Sequence, residues 1–79
     1  MKFKIGDKVI LNPNLEIGKR YGDEWFSYSM KELKGKIFTI EKIVKDKYQV
    51  QENAYYYSEE MLLPIQEYKS YRKRKLGIL

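Results

Sequence analysis

Hydrophobic and polar residues alternate most regularly between residues 34 and 63. The run 36–44 is apolar on both registers, and Tyr48 and Val50 then alternate with polar neighbours. Because successive side chains of a strand point to opposite faces, this pattern predicts a hairpin that turns at Lys45-Asp46. The double apolar register also predicts a β-bulge in the first strand of the hairpin, since a strongly curved sheet changes register at a bulge.

Two further strands follow this hairpin in the pattern. Three consecutive tyrosines predict a strand with Tyr55 and Tyr57 on one face and Tyr56 on the other. Residues 62–65 predict a closing strand, and Pro64 marks it as an edge or an end because proline cannot donate a backbone hydrogen bond.

The N-terminal strand is interrupted by a bend at Gly6-Asp7. The buried face of this strand is predicted to carry Phe3, Ile5, Val9 and Leu11. Ile10 falls on the opposite, polar register. From 12 to 22 the chain is polar and shows no sustained period, which predicts a long surface loop.

Two short segments carry helix-start signals. Ser29 lies three residues before Glu32, so a capping box predicts one helical turn over 29–34 that points Met30 and Leu33 into the core. A second single turn is predicted over 58–61, with Ser58 as its cap.

Five short strands, a long early loop and a helical turn before the last strand predict a mainly β fold of the SH3-like barrel type. An OB-fold is the alternative, although it usually has longer strands and more residues. Residues 1–65 form the predicted barrel, and residues 66–79 form a basic C-terminal tail. Start and stop signals in the tail favour a helix. Charged residues on every side of the helical wheel leave no apolar face and favour a flexible arm.

Composition excludes several classes of protein. The 79 residues make one domain, and the absence of cysteine and histidine argues against disulfides, zinc and haem. No apolar run approaches the roughly 18 residues that span a bilayer, and Met1 leads directly into a strand pattern without a visible signal peptide. We therefore expect an intracellular, cytoplasmic protein, with no membrane partner and no cofactor.

Charge is distributed unevenly along the chain. Residues 1–65 hold eleven Lys/Arg against ten Asp/Glu, a net charge of +1, and residues 66–79 hold five against one, a net charge of +4. The basic character therefore lies in the tail, and the charge of the predicted barrel alone does not indicate a nucleic-acid-binding face.

Three segments carry a resemblance to a known group of proteins: GDKVIL (6–11), KGKIFTI (34–40) and YYYSEEMLLPI (55–65). Together they resemble the small SH3-like barrel proteins of bacteriophages and mobile elements of Gram-positive bacteria. The resemblance covers about residues 3–65 and implies an accessory protein that acts by binding to host defence machinery, nucleic acid or signalling nucleotides. Tyr57 departs from it, because such proteins often carry tryptophan there.

Catalysis is not expected. The chain has no histidine, no cysteine and no glycine-rich phosphate loop, and no residue is assigned as catalytic or as a metal ligand. The adjacent acid pairs Asp23-Glu24 and Glu59-Glu60 predict solvated charge and turn capping, because neighbouring residues of a strand rarely reach the same site.

Aromatic residues support a first binding hypothesis, in which the protein recognises a host protein. Tyrosine and tryptophan are enriched at binding hot spots, and the candidate anchors are Trp25, Tyr28, Tyr55, Tyr56 and Tyr57. The alternative is that about half of these rings fill a core short of leucine. Trp25 and Phe26 could likewise both fold over the core as a lid.

The tail supports a second hypothesis, nucleic-acid binding. Basic side chains would neutralise phosphates and tyrosines would stack on bases; the residues are Tyr68, Lys69, Tyr71, Arg72, Lys73, Arg74 and Lys75. A solvated, solubilising tail is the alternative. The third hypothesis is an oligomer that binds a nucleotide or other anionic small molecule. Self-association is expected from the small core and the terminal LGIL (76–79).

Overall fold

The computed structural model of the protein describes residues 2–65, so the predicted basic tail lies outside the described residues. The described chain is mainly β, with seven strands and two short 3₁₀ helices. The strands are β1 (Lys8–Leu11), β2 (Arg20–Tyr21), β3 (Glu24–Trp25), β4 (Ile37–Val44), β5 (Lys47–Val50), β6 (Tyr56–Ser58) and β7 (Leu62–Pro64). The 3₁₀ helices are η1 (Tyr28–Leu33) and η2 (Glu59–Met61).

The strands form a five-stranded antiparallel sheet in the order β6-β5-β4-β1-β7, and β2 pairs with β3 in a separate hairpin. The prediction of a mainly β fold built from five short strands and a 3₁₀ turn is confirmed. The sheet is open in its backbone hydrogen bonds, since β6 and β7 are its two edges, and closure into a barrel is not confirmed. Within residues 2–65 no helix has the length and apolar content needed to cross a bilayer.

The predicted bulge in the first hairpin strand is confirmed, because the β4–β5 register shifts between Ile40 and Lys42. The Glu52 carboxylate supports the sheet beside it. The Thr39 backbone N–H donates to Glu52 Oε1 over 2.9 Å, and the Thr39 hydroxyl donates to Oε2 over 3.1 Å. The Lys8 ammonium donates to the same hydroxyl over 2.7 Å, so a polar network spans β1, β4 and the turn after β5.

The core is one cluster of buried side chains. Every strand of the main sheet and both 3₁₀ helices contribute to it, as do residues 3, 15 and 26. Its members are Phe3, Val9, Leu11, Leu15, Phe26, Met30, Phe38, Ile40, Tyr48, Val50, Tyr57, Met61 and Leu62. The large aromatic share follows from the sequence, in which tyrosine and phenylalanine take positions that leucine occupies in other small cores.

Two assignments in the N-terminal strand are wrong. Ile5 is 66% exposed because β1 begins only at Lys8, and Ile5 lies in a turn whose Gly6 has φ of 94°. Ile10, expected on the polar face, is buried. Its cross-strand partners are Ile37 and Leu63, and directly paired residues share a face, so these apolar neighbours cover it.

The predicted long loop is also partly wrong. Its second half pairs with residues 24–26, through Gly18 N–H donating to the Phe26 carbonyl over 2.7 Å and Phe26 N–H donating to the Lys19 carbonyl over 3.0 Å. Two-residue strands are too short to produce a detectable period. The resulting hairpin turns at Gly22-Asp23.

Both helical turns are confirmed in position, but their capping is not. η1 begins one residue earlier than predicted, after Ser27, and Ser29 Oγ lies 3.0 Å from Ser27 Oγ instead of capping the turn. Met30 is buried and Leu33 packs partly against the core, as expected. Ser58 precedes η2, yet its side chain makes no capping hydrogen bond.

Candidate functional site

Three of the five predicted anchor residues are exposed. Trp25 is 59% exposed on β3, Tyr28 is 71% exposed at the start of η1, and Tyr56 is 42% exposed on β6. β3 and β6 contact each other, so Trp25 and Tyr56 lie on neighbouring elements. We refer to Trp25, Tyr28 and Tyr56 as the exposed aromatic set.

Trp25 and Phe26 separate because adjacent residues of an extended segment point to opposite faces. Phe26 is fully buried in the core, as the lid interpretation expected, whereas Trp25 faces outward beside its cross-strand partner Arg20. An exposed tryptophan next to a buried phenylalanine leaves a large apolar ring available to a partner.

Tyr57 belongs to the core and is not a surface anchor. Its side chain is fully buried, its ring lies 5.4 Å from that of Phe38 between centroids, and its hydroxyl donates to Asn53 Oδ1 over 2.9 Å. Burial raises the pKa of Tyr57 to about 12. Tyr55 is partly buried against the same cluster, and its backbone N–H donates to Asn53 Oδ1 over 3.1 Å. The predicted alternation of the three tyrosines is confirmed, and it removes Tyr57 from the accessible residues.

Beside Tyr56 the structure forms a cleft that the sequence analysis missed. Two cavities of about 220 and 370 Å³ share Asp23, Asp46 and Lys47 as walls, and we call their union the acidic cleft. Its carboxylates are Asp23, Glu24, Asp46, Glu59 and Glu60.

Two turns and a 3₁₀ helix from separate parts of the chain bring these carboxylates together. The β2–β3 turn supplies Asp23, the β4–β5 turn supplies Asp46, and η2 supplies Glu60. Antiparallel pairing of β5 with β6 sets Lys47 opposite Ser58, immediately before η2. The hairpin of β2 and β3 is held over this corner by an ion pair of 2.5 Å between Glu24 Oε2 and Lys47 Nζ.

The five carboxylates differ in how far they are already neutralised. Glu24 pairs with Lys47, and this hydrogen bond raises the pKa of Lys47. Asp23 Oδ1 lies 3.2 Å from the Arg20 guanidinium in a pair whose side chains are both exposed. Among residues 2–65, neither Asp46 nor Glu60 has a cationic partner within 4 Å. Glu59 has no cationic partner there either, but its Oε1 accepts the Lys2 backbone N–H, so Asp46 and Glu60 are the cleft carboxylates with neither an ion pair nor a side-chain hydrogen bond among the described residues.

Glu59 has a structural function on the inner side of the cleft. Its Oε1 accepts the Lys2 backbone N–H and lies 3.4 Å from the Tyr48 hydroxyl, which in turn accepts the Phe3 N–H over 3.0 Å. Burial is the main cause that raises the pKa of Tyr48. The chain thus fixes its N-terminal segment to η2 through a buried tyrosine.

Ser58 lines the cleft without using its hydroxyl. The residue is 6% exposed, and its Oγ is buried and has no hydrogen-bond partner within residues 2–65. Gly22 lies directly over it: a Cβ at Gly22 would approach Ser58 Cβ to 3.2 Å and Oγ to 3.6 Å, with φ of 61°. A side chain at position 22 would therefore close this end of the cleft.

The acid pairs that the sequence treated as solvated charge both contribute to the cleft. Asp23 lies in a turn, so the strand argument that separates adjacent side chains does not apply to Asp23-Glu24. No group of three or more acidic side chains within residues 2–65 is placed to hold a metal ion. The local sequence contains no signal that would bring two turns and a 3₁₀ helix to one corner.

The predicted nucleic-acid-binding residues of the tail, 68, 69 and 71–75, lie outside the described residues. Comparisons with protein-family models, with curated proteins and with solved structures find no match.

Proposed function

We propose that the protein is a non-catalytic binding module that recognises another protein through Trp25, Tyr28 and Tyr56. The observation that carries this proposal is the exposure of Trp25, 59%, on a strand whose next residue is completely buried. A large aromatic ring contributes most when it moves from water into a partner's pocket, and tryptophan and tyrosine dominate binding hot spots.

The proposal includes closure of the fold into a small SH3-like barrel. One core cluster draws residues from β1, β4, β5, β6 and β7, and a bulge in β4 supplies the curvature that a small barrel needs. Contact between β3 and β6 places the hairpin beside one edge of the sheet. This geometry supports a small barrel that presents the contact residues on β3, η1 and β6.

The biological role in the proposal follows from the resemblance of segments 6–11, 34–40 and 55–65 to phage and mobile-element proteins. The partner is a host protein or a defence or regulatory complex in the bacterial cytoplasm.

The test is capture of host proteins on the immobilised full chain, with nuclease-treated and untreated lysate compared. Wild type should retain a protein partner after nuclease treatment, and the Trp25→Ser/Tyr28→Ser/Tyr56→Ser variant should lose it. Ile5→Ser is the matched control, because Ile5 is an equally exposed apolar residue in the turn before β1. Retention by the triple variant, or loss by the control alone, would contradict the proposal.

Nucleic-acid binding by residues 66–79 is the second candidate, favoured by their net charge of +4. Its expected signs are an affinity that falls steeply with salt and disappears when Arg72, Lys73, Arg74 and Lys75 are changed to alanine. The third hypothesis, capture of an anionic small molecule, receives no support from the acidic cleft, because carboxylates repel such a ligand.

A further inference from the structure

We propose that the acidic cleft receives a lysine or arginine side chain from a peptide segment of the partner protein. The inference rests on the proposed function, since it assumes that the partner is a protein, and adds the chemistry that the partner must present. Tyr56 connects the two surfaces, because it belongs to the exposed aromatic set and lines the cleft.

The cleft has the size that a cationic side chain requires. Its smaller cavity, bounded by Gly22, Asp46 and Glu60, encloses about 220 Å³. A water molecule takes about 30 Å³ in the liquid, so this volume corresponds to roughly seven waters. An ammonium or guanidinium group with the last carbons of its side chain fits there, whereas a folded segment does not.

The charge of the cleft is local to this corner of the molecule. The cleft has five carboxylates and three cationic groups. The cationic groups are Lys45, Lys47 and the Arg20 that pairs with Asp23. The cleft is therefore negative within a segment of net charge +1 over residues 1–65. Asp46 and Glu60 have no cationic partner among residues 2–65, so an incoming cation would supply the missing charge. A single carboxylate can accept two parallel hydrogen bonds from one guanidinium group.

The unpaired hydroxyl of Ser58 supports the proposal independently of the size and charge of the cleft. Buried hydroxyl groups in folded proteins are almost always hydrogen-bonded, and an unpaired one needs an explanation. Ser58 Oγ has no partner within residues 2–65 although more than nine-tenths of the residue is buried. It lies in the wall of the cleft beneath Gly22, where a Cβ would approach Oγ to 3.6 Å. A donor group entering between Asp46 and Glu60 reaches the end of the cleft that holds this unused acceptor.

Tyr56 adds an aromatic surface at the mouth of the cleft. A cation near the face of a tyrosine ring is attracted by its quadrupole, and arginine also stacks on such rings. The arrangement of carboxylates beside an exposed tyrosine therefore favours a basic residue next to an apolar or aromatic one in the partner's sequence.

The probe for the test is an acetylated and amidated hexa-arginine peptide, titrated into the ¹⁵N-labelled full chain at low salt. Amide shifts should concentrate at Gly22, Asp46 and Ser58, and hexaglutamate should cause none at these three residues. Asp46→Asn/Glu60→Gln should weaken the binding of hexa-arginine at least tenfold. Glu32→Gln/Glu41→Gln, which removes the same charge from exposed positions outside the cleft, should leave it within about twofold. Amide spectra of each variant verify its fold.

Equal weakening by the two double variants, or shifts centred elsewhere, would overturn the cleft assignment and indicate non-specific attraction. Loss of self-association in Asp46→Asn/Glu60→Gln, without loss of a host partner, would also overturn it, because a second copy of this chain would then be the occupant.

Host-protein capture separates the two proposals. Capture that survives in Asp46→Asn/Glu60→Gln but not in Trp25→Ser/Tyr28→Ser/Tyr56→Ser refutes the cleft alone. Capture that survives in the aromatic variant refutes the proposed function, whatever the peptide does.

Discussion

Glu24 on β3 and Lys47 on β5 form the ion pair that holds the small hairpin against the main sheet, with 2.5 Å between Oε2 and Nζ. The side chains of Lys47 and Glu24 are 28% and 25% exposed, less than those of the pairs Lys19–Glu16 and Arg20–Asp23. The pair positions two features at once, since Trp25 follows Glu24 and the acidic cleft surrounds Lys47. Loss of this ion pair should therefore change the position of the hairpin and the shape of the cleft together.

Removing the charge of Glu24 should loosen the hairpin. The pKa of Lys47 is raised above 10.5 in the folded protein, chiefly by its hydrogen bond to Glu24. A raised pKa of a basic group contributes stability below the unfolded value, which is lost as pH rises through the folded value. Glu24→Gln should therefore lower the unfolding midpoint at neutral pH, and its difference from wild type should shrink above pH 10.5. Chemical denaturation across this pH range measures both effects, and a difference independent of pH would contradict the assignment.

Ser58→Ala should stabilise the protein. Its hydroxyl is buried without a partner among residues 2–65, and such a group costs about 1–3 kcal/mol of desolvation that alanine does not incur. Urea unfolding should show a free energy of unfolding higher by about 1 kcal/mol. Ser29→Ala, at an exposed serine, is the control and should change little. Because the same hydroxyl lies in the cleft, Ser58→Ala should also weaken hexa-arginine binding, so stability and affinity move in opposite directions.

Tyr57→Phe should destabilise the protein and change its alkaline behaviour. The substitution removes the hydroxyl that donates to Asn53 Oδ1, at a cost of about 1 kcal/mol. The pKa of Tyr57 is raised from 10 to about 12 in the folded state. Folding therefore favours the protonated phenol, and the resulting stability is present below pH 10 and declines between pH 10 and 12. Denaturation measured over this range should fall less steeply for Tyr57→Phe than for wild type; parallel curves would contradict a buried Tyr57.

Trp25 and Phe26 should respond oppositely to truncation. Phe26→Ala removes a fully buried ring and should cost about 3–5 kcal/mol, enough to unfold a marginal domain. Trp25→Ala should change the free energy of unfolding by no more than about 0.5 kcal/mol, because an exposed ring contributes little to the core. Thermal unfolding of the two variants distinguishes them. A large loss from Trp25→Ala would mean that this ring packs on the domain and is not available to a partner.

The strands could be predicted from sequence because their signals are local. Alternation around Tyr48, the bulge in β4 and the turn at Lys45-Asp46 depend on residues close together in the chain. Ile5 and Ile10 were misassigned because a glycine turn interrupts the period and because apolar cross-strand neighbours cover one position of β1. The cross-strand effect is not visible within a single strand.

The candidate site depends on longer-range geometry and could be predicted only in part. Trp25 and Tyr56 were identified by residue type, whereas the burial of Tyr57 needed the position of Phe38 across the core. The cleft combines Asp23, Asp46 and Glu60, which are separated by 23 and 14 residues in the sequence. Their proximity follows from sheet order and twist. Glu52 supports Thr39, 13 residues away in the sequence, for the same reason.

The most direct measurement of the central claim is a calorimetric titration of a captured host partner with wild type and with Trp25→Ser. Trp25→Ser should lose at least tenfold in affinity, about 1.4 kcal/mol, with its fold unchanged. Ile5→Ser should bind like wild type. An affinity of Trp25→Ser within twofold of wild type would contradict recognition through the exposed aromatic set.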